Sequence, residues 1–221
     1  MIVLNSDTDS RAPTNRVGLL GGTFDPVHIG HLRSAIELRD ALSLDHIKLL
    51  PCHVPSHRDT PDASTTHRIN MLRDAIGDVG GLILDTREAD HDRPSYTIDT
   101  LTSFRNEMPQ ATLLFCMGMD AFNLFTGWHR WEDILDVAHL VVIDRPGAVL
   151  DGAEAELFDR YRCHSPEELA GPSGSILLQA VTQFDVSATR IRELVRLKRD
   201  ISYLVPAAVS RYINEHRLYQ D

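Results

Sequence analysis

The sequence predicts an α/β fold: a doubly wound parallel sheet with two helices closing the chain. Three observations carry that prediction. Short, uninterrupted apolar runs recur along the chain, as in ATLLFCMG (111–118) and HLVVIDRPG (139–147). Amphipathic segments with helical spacing separate them, and the chemically loaded segments fall directly after the runs. Apolar strands without alternation are buried on both faces, as in parallel sheets covered by helices on each side.

Each element has its own warrant. VGLLGG (17–22) is an apolar strand ending in a glycine turn, and a helix is expected from about Ile29 to Leu42. HIKLLPC (46–52) reads as the second strand, followed by a polar, proline-bearing loop, VPSHRDTPDAS. TTHRINMLRDAIGDV returns to helical spacing, with Ile69, Leu72 and Ile76 facing the core. GLILDT (81–86) is the third strand, SYTIDTLTSFRNEM a helix, and residues 111–118 the fourth strand. A helical passage, MDAFNLFTGWHRWEDILDVA, leads to the fifth strand at 139–147, and ILLQAV (176–181) is the sixth. SATRIRELVRLKR and PAAVSRYINEHRL are the closing helices. Residues 1–15 read as a flexible polar tail and 16–221 as a single domain. Within it, 148–174 is weakly patterned, contains PEELAGPSG, and is expected to be an irregular insertion.

Composition narrows the function. With 43% hydrophobic and 24% charged residues, the 221-residue chain can bury a sizeable core. A net charge of -10 argues against a nucleic-acid binder, though a locally positive pocket can still hold a small anion. Cys52, Cys116 and Cys163 are odd in number, far apart and without a CxxC, the pattern of a reduced chain. No apolar run is long enough to cross a bilayer, and the first residues lack the basic and apolar regions of a signal peptide. A cytoplasmic address without membrane partners is expected.

In an open parallel sheet, ligands bind outside the carboxyl ends of the strands, where strand order reverses. GGTFDPVHIGH, PCHVPSHR, READHDRPSYT, GMDAFNLFTGW and DVSATRIR all follow predicted strands, so they should converge on one rim. Gly21 and Gly22 permit close backbone approach, and the following helix offers free N–H groups and a positive dipole end to a phosphate. His28 and His31 lie about one turn apart and can face one ligand; Thr23 adds a hydroxyl. The segment is neither GxGxxG nor a P-loop. A metal pair, or a helix cap beside a packed histidine, are the plainer readings of HxxH alone, and no third metal ligand stands at suitable spacing. Near the C-terminus, Ser187 can cap a helix that carries Arg190 and Arg192 in its first turns, where the dipole disfavours cations and an anion would explain them.

GGTFDPVHIGH, with VSATRIRE far downstream, resembles the signature of the nucleotidylyltransferase superfamily. PCHVPSHR, RPSYTIDTL, GMDAFNLFTGWHRWEDIL and AHLVVIDRPG, in that order, are similar to segments of the bacterial nicotinate-nucleotide adenylyltransferases. The resemblance implies a Rossmann-like nucleotidylyltransferase fold and transfer of the adenylyl group of ATP to nicotinate mononucleotide, giving deamido-NAD and pyrophosphate. It implies ATP contacts from Gly21, Gly22, Thr23, Phe24, His28, His31, Asp120, Ser187, Thr189 and Arg192, with His28, His31 and Arg192 catalytic. It also implies a nicotinate mononucleotide pocket of His57, Arg58, Tyr96, Thr97 and Trp128, with Trp128 stacked on the pyridine ring. Mg²⁺ would travel with the ATP phosphates and need no dedicated protein cage. The family often has Lys where this chain has Arg58, and Arg190 is extra to its pattern. Several of these residues have plainer uses: Asp120 as a helix cap, Trp131 as core, and Asp25 as a brace for the turn through backbone N–H groups. Homo-oligomerisation is compatible with the sequence. A sister transferase with another acceptor, such as phosphopantetheine or nicotinamide mononucleotide, and a non-catalytic ATP-sensing module are the alternatives.

Overall fold

The computed structural model of the chain describes residues 14–52, 60–89, 95–144, 150 and 152–220. Among these, seven strands make one sheet: β1 (Arg16–Gly22), β2 (His46–Pro51), β3 (Leu82–Leu84), β4 (Thr112–Gly118), β5 (His139–Ile143), β6 (Arg162–Cys163) and β7 (Ile176–Gln179). Their order is β3-β2-β1-β4-β5-β7-β6, and every pairing is parallel. The chain runs outward from β1 through β2 to β3, then crosses back to place β4 on the other side of β1. The order therefore reverses between β1 and β4, and the glycines that end them, Gly22 and Gly118, stand at the mouth of that crevice.

Helices cover both faces. On β4, Leu114 and Cys116 enter one core, while Leu113, Phe115 and Met117 enter the other; on β5, Val141 opposes Leu140 and Val142. The first core is closed by α1 (Ile29–Ala41), α2 (Thr65–Ile76), α7 (Ala188–Arg196) and α8 (Ala207–Glu215), through residues such as Leu38, Leu72, Ile191 and Ile213. The second is closed by α3 (Thr97–Glu107), α5 (Trp131–Val137) and α6 (Gly152–Tyr161), through Leu101, Ile134 and Leu157. The doubly wound parallel sheet is thus the observed architecture.

The structure departs from the sequence reading at several places. Residues 152–163 form α6 and the edge strand β6, where an irregular excursion was expected. The helix buries Leu157 together with the carboxylate of Glu154, which accepts hydrogen bonds from the Thr126 amide (3.2 Å) and hydroxyl (2.7 Å). A half-polar buried face hides helical periodicity. The passage 119–138 is not one helix but α4 (Met119–Phe122), a 3₁₀ turn (Phe125–Gly127) and α5, with Arg130 in the left-handed region at φ 51° before α5. On α2 the buried face is Arg68, Met71, Leu72 and Ile76, so Ile69 sits at its margin. Residues 1–13 lie outside the described chain, but Thr14 and Asn15 are already tied to it: both amides donate to the Asp45 carboxylate, at 2.7 and 2.9 Å. No helix among the described residues is long and apolar enough to cross a membrane.

Candidate active site

The glycine turn, the entrance of α1 and the entrance of α7 meet at the carboxyl end of β1. A Cβ on Gly22 would lie 2.8 Å from the Phe24 ring, so only glycine lets the turn close over that side chain. Phe24, at φ 51°, is buried, and its ring meets His31 edge-on at 5.1 Å. Its expected nucleotide contact can therefore run only through its backbone. On the far side of the turn, the Thr23 carbonyl accepts from Arg68 at 2.7 Å, and Thr65 Oγ1 accepts from the same guanidinium at 3.0 Å.

His28 is the N-cap residue of α1, with extended backbone. Its ring stacks on that of His31, with centroids 3.7 Å apart and planes 23° from parallel. That arrangement is unlike a metal pair, whose nitrogens would converge on a common centre. Among the described residues no group of three or more His, Cys, Asp or Glu is placed to hold a metal ion. The His28 amide donates to His31 Nδ1 at 3.3 Å, so that nitrogen is an acceptor and the proton of neutral His31 sits on Nε2. Gly30 makes the stack possible, because a Cβ there would press on the His28 ring at 3.1 Å and on Val186 at 3.0 Å.

The His28 ring is buried, and burial lowers its pKa from 6.5 to about 4. His28 is accordingly neutral at physiological pH, a preorganised dipole rather than a fixed cation. This has a consequence for acid stability. A depressed histidine pKa makes the unfolded chain bind more protons between the two values, so stability is lost as pH falls from 6.5 towards 4. The full loss is about 3 kcal/mol. Thermal unfolding across that window should show the drop, and His28→Gln should flatten it; an unchanged slope would remove the buried imidazole as its cause.

The second jaw is α7. Ser187 is its N-cap, accepting from the Arg190 amide at 3.2 Å, and Thr189 is exposed on its first turn. Arg192 reaches back across 167 residues to donate to the Asp25 carbonyl at 2.8 Å. Its Nε also pairs with Asp62 Oδ2 at 3.0 Å. The two motifs from opposite ends of the sequence are therefore in contact. Arg190, in contrast, pairs with Glu193 at 2.6 Å on the surface, so an ordinary helical ion pair accounts for it without an anion.

Asp25 is the structural centre of this arrangement. Its buried carboxylate accepts the amides of Asp62 (2.7 Å) and Ala63 (3.1 Å) and the hydroxyl of Tyr219 (2.7 Å). It braces the site through backbone N–H groups, as expected, but those of the α2 entrance rather than of its own turn. Burial and the adjacent Asp25 carboxylate push the Tyr219 phenol upward, which keeps it a donor.

Of the remaining residues, Tyr96, Trp128 and Trp131 pack against the second core. Tyr96 is the N-cap residue of α3, followed by partly buried Thr97, and its ring lies 4.4 Å from that of His129. Ser95 donates to the Glu88 carbonyl at 3.2 Å, and the Thr100 hydroxyl donates to the Glu88 carboxylate at 2.9 Å, which fixes the start of α3. Trp128 is partly buried, with its ring 5.6 Å from Phe125 and 6.3 Å from Phe115 on β4. Trp131 packs on Phe125 at 5.9 Å, in keeping with a core role. Asp120 is exposed on α4, two residues beyond the N-cap Gly118, so the capping reading does not fit its position. His57 and Arg58 lie outside the described residues.

Sequence reasoning missed Arg68, Asp62 and Tyr219. Arg68 had a signal: it stands four residues before Leu72 and eight before Ile76, on the apolar stripe of α2. Tyr219 and Asp62 had none, because their importance comes from a carboxylate distant in sequence.

Comparison with known proteins gives a consistent result. The cytidylyltransferase-like family profile matches residues 19–194. A probable nicotinate-nucleotide adenylyltransferase of Pseudomonas entomophila (strain L48) is 46% identical over 215 residues, 96% of this chain and 98% of that one. Its counterpart in Aeromonas salmonicida (strain A449) is 47% identical over 207 residues, 92% and 97% of the two chains. Among solved structures, the nicotinic acid mononucleotide adenylyltransferase of Plasmodium falciparum, complexed with NaAD, superimposes with a TM-score of 0.71. That match covers 92% of this chain and 97% of the other at 18% identity, a likeness of fold.

Proposed function

This chain belongs to the nicotinate-nucleotide adenylyltransferases, within the cytidylyltransferase-like family, and we propose that it transfers the adenylyl group of ATP to nicotinate mononucleotide. In the reaction a 5′-phosphate oxygen of the mononucleotide attacks the α-phosphorus of ATP in line. A new phosphorus–oxygen bond forms, the α–β bond breaks, and pyrophosphate leaves with deamido-NAD as product. The attacking phosphate is already anionic at neutral pH, so the step needs no general base. Catalysis is then positioning and stabilisation of the developing charge.

The observation that carries this reading is the juxtaposition of neutral His28, stacked on His31, with the α7 entrance beside the β1 crevice. Gly21, Gly22, Thr23 and the backbone of Phe24 would let the phosphates approach the turn. The histidines would donate to them, and Ser187, Thr189 and Arg192 would close from the other side, with Asp120 on the adenosine flank. Mg²⁺ is assigned to the triphosphate as part of the substrate, without a protein ligand. Tyr96, Thr97 and Trp128 would form the pyridine pocket, and His57 and Arg58 would reach the mononucleotide phosphate. The Plasmodium falciparum proteins of like fold were solved with NaAD and with APC, which supports a nucleotide ligand here.

Trp128→Ala tests the acceptor side. It should raise KM for nicotinate mononucleotide while leaving KM for ATP nearly unchanged; equal effects on both would refute ring stacking. Calorimetry with ATP, followed by pyrophosphate detection, separates the enzyme from an ATP-sensing module: binding with no release for any acceptor would favour the module.

A further inference from the structure

Arg192 is held by groups that a triphosphate would have to displace or share. Its Nη1 donates to the Asp25 carbonyl at 2.8 Å, and its Nε pairs with Asp62 at 3.0 Å. The Asp25 carboxylate lies further off, at 3.9 Å from Nη1, and is already engaged by two amides and the Tyr219 hydroxyl. Asp62 is differently placed. Its side chain is 35% exposed, and the same Oδ2 that meets Arg192 accepts from Arg196 Nη2 at 2.6 Å. If Arg192 turned towards a phosphate, Asp62 would still be paired. Asp25 would still have its three donors.

We propose that Asp62 is a positioning residue that parks Arg192 beside the phosphate site and releases it to the incoming triphosphate, with Arg196 holding Asp62 when Arg192 leaves. The proposal rests on the reading of Arg192 as a phosphate ligand. Parking keeps a cation ready within the crevice, while the Asp62 carboxylate competes directly with ATP for it. The energetic cost of release is small because the pair is partly exposed and Asp62 retains a second arginine. Asp62 therefore weakens ATP binding through Arg192, an effect opposite in sign to that of a merely supporting residue.

The test is a double-mutant cycle on full-length protein, with the affinity for a non-hydrolysable ATP analogue measured by calorimetry. Asp62→Asn keeps the backbone amide that binds Asp25, so the α2 entrance should hold, and Asp62→Ser with a thermal melt checks that it does. Asp62→Asn should bind the analogue about fivefold more tightly, the fold-change expected for removing one partly exposed pair. The gain should vanish in an Arg192→Ala background. Unchanged or weaker binding by both Asp62 variants would overturn the proposal. So would a gain that persists without Arg192, since that would mark a general field effect. Arg192→Ala that binds as tightly as the unaltered protein would instead overturn the assignment of Arg192 to phosphate, and the proposal with it.

Discussion

Replacing His31 with alanine is expected to lower kcat by a factor of about 10² or more, the usual cost of removing one preorganised donor from a developing oxyanion. The expectation follows from the tautomer. His31 accepts at Nδ1 from the His28 amide, which leaves Nε2–H as its donor. Its ring also supports the stacked His28 and meets Phe24. Steady-state kinetics with both substrates, beside a thermal melt, would separate chemistry from folding. A folded variant with unchanged kcat would remove His31 from the mechanism. His31→Asn, whose amide is an approximate stand-in for the Nδ1 side alone, should not restore the rate.

The second large effect concerns stability. Asp25→Ala should destabilise the fold by about 3 kcal/mol or more, because it strands buried donors together with a charged neighbour. The amides of Asp62 and Ala63 and the Tyr219 hydroxyl would each lose their acceptor, and Arg192 a nearby carboxylate. Asp25→Asn keeps one carbonyl oxygen and should lose less. Urea unfolding of the two variants is the measurement. A shift within about 0.5 kcal/mol, the range of ordinary surface substitutions, would contradict the assigned role.

These two residues also show what could be read from sequence. The strands were legible because buried parallel strands are continuous apolar runs, and β1, β2, β4, β5 and β7 fall where those runs stand. GGTFDPVHIGH and DVSATRIR were legible as partners because both follow strands whose carboxyl ends share one edge of the sheet, and the Arg192 contact with the Asp25 carbonyl joins them. The side-chain assignments were less so. Phe24 belongs to a motif whose neighbours face the crevice, but the left-handed backbone at φ 51° turns its ring into the core. Arg190 looked like an anion ligand because it disobeys the helix dipole, yet Glu193 three residues later neutralises it. Arg68 broke the polarity pattern of its helix because a buried guanidinium can satisfy itself on the Thr23 carbonyl and Thr65 hydroxyl. Pairings of that kind depend on the third dimension, and no periodicity encodes them. The edge strand β6, two residues long, and α6 with its buried Glu154 carried too little apolar pattern to be seen.

In the proposed reaction the crevice between β1 and β4 joins ATP to nicotinate mononucleotide. Pyrophosphate release from ATP, measured with nicotinate mononucleotide, nicotinamide mononucleotide and phosphopantetheine in turn, tests it most directly. The expected result is the highest kcat/KM with nicotinate mononucleotide and formation of deamido-NAD in equal amount to pyrophosphate. No pyrophosphate with nicotinate mononucleotide, or faster release with phosphopantetheine, would contradict it.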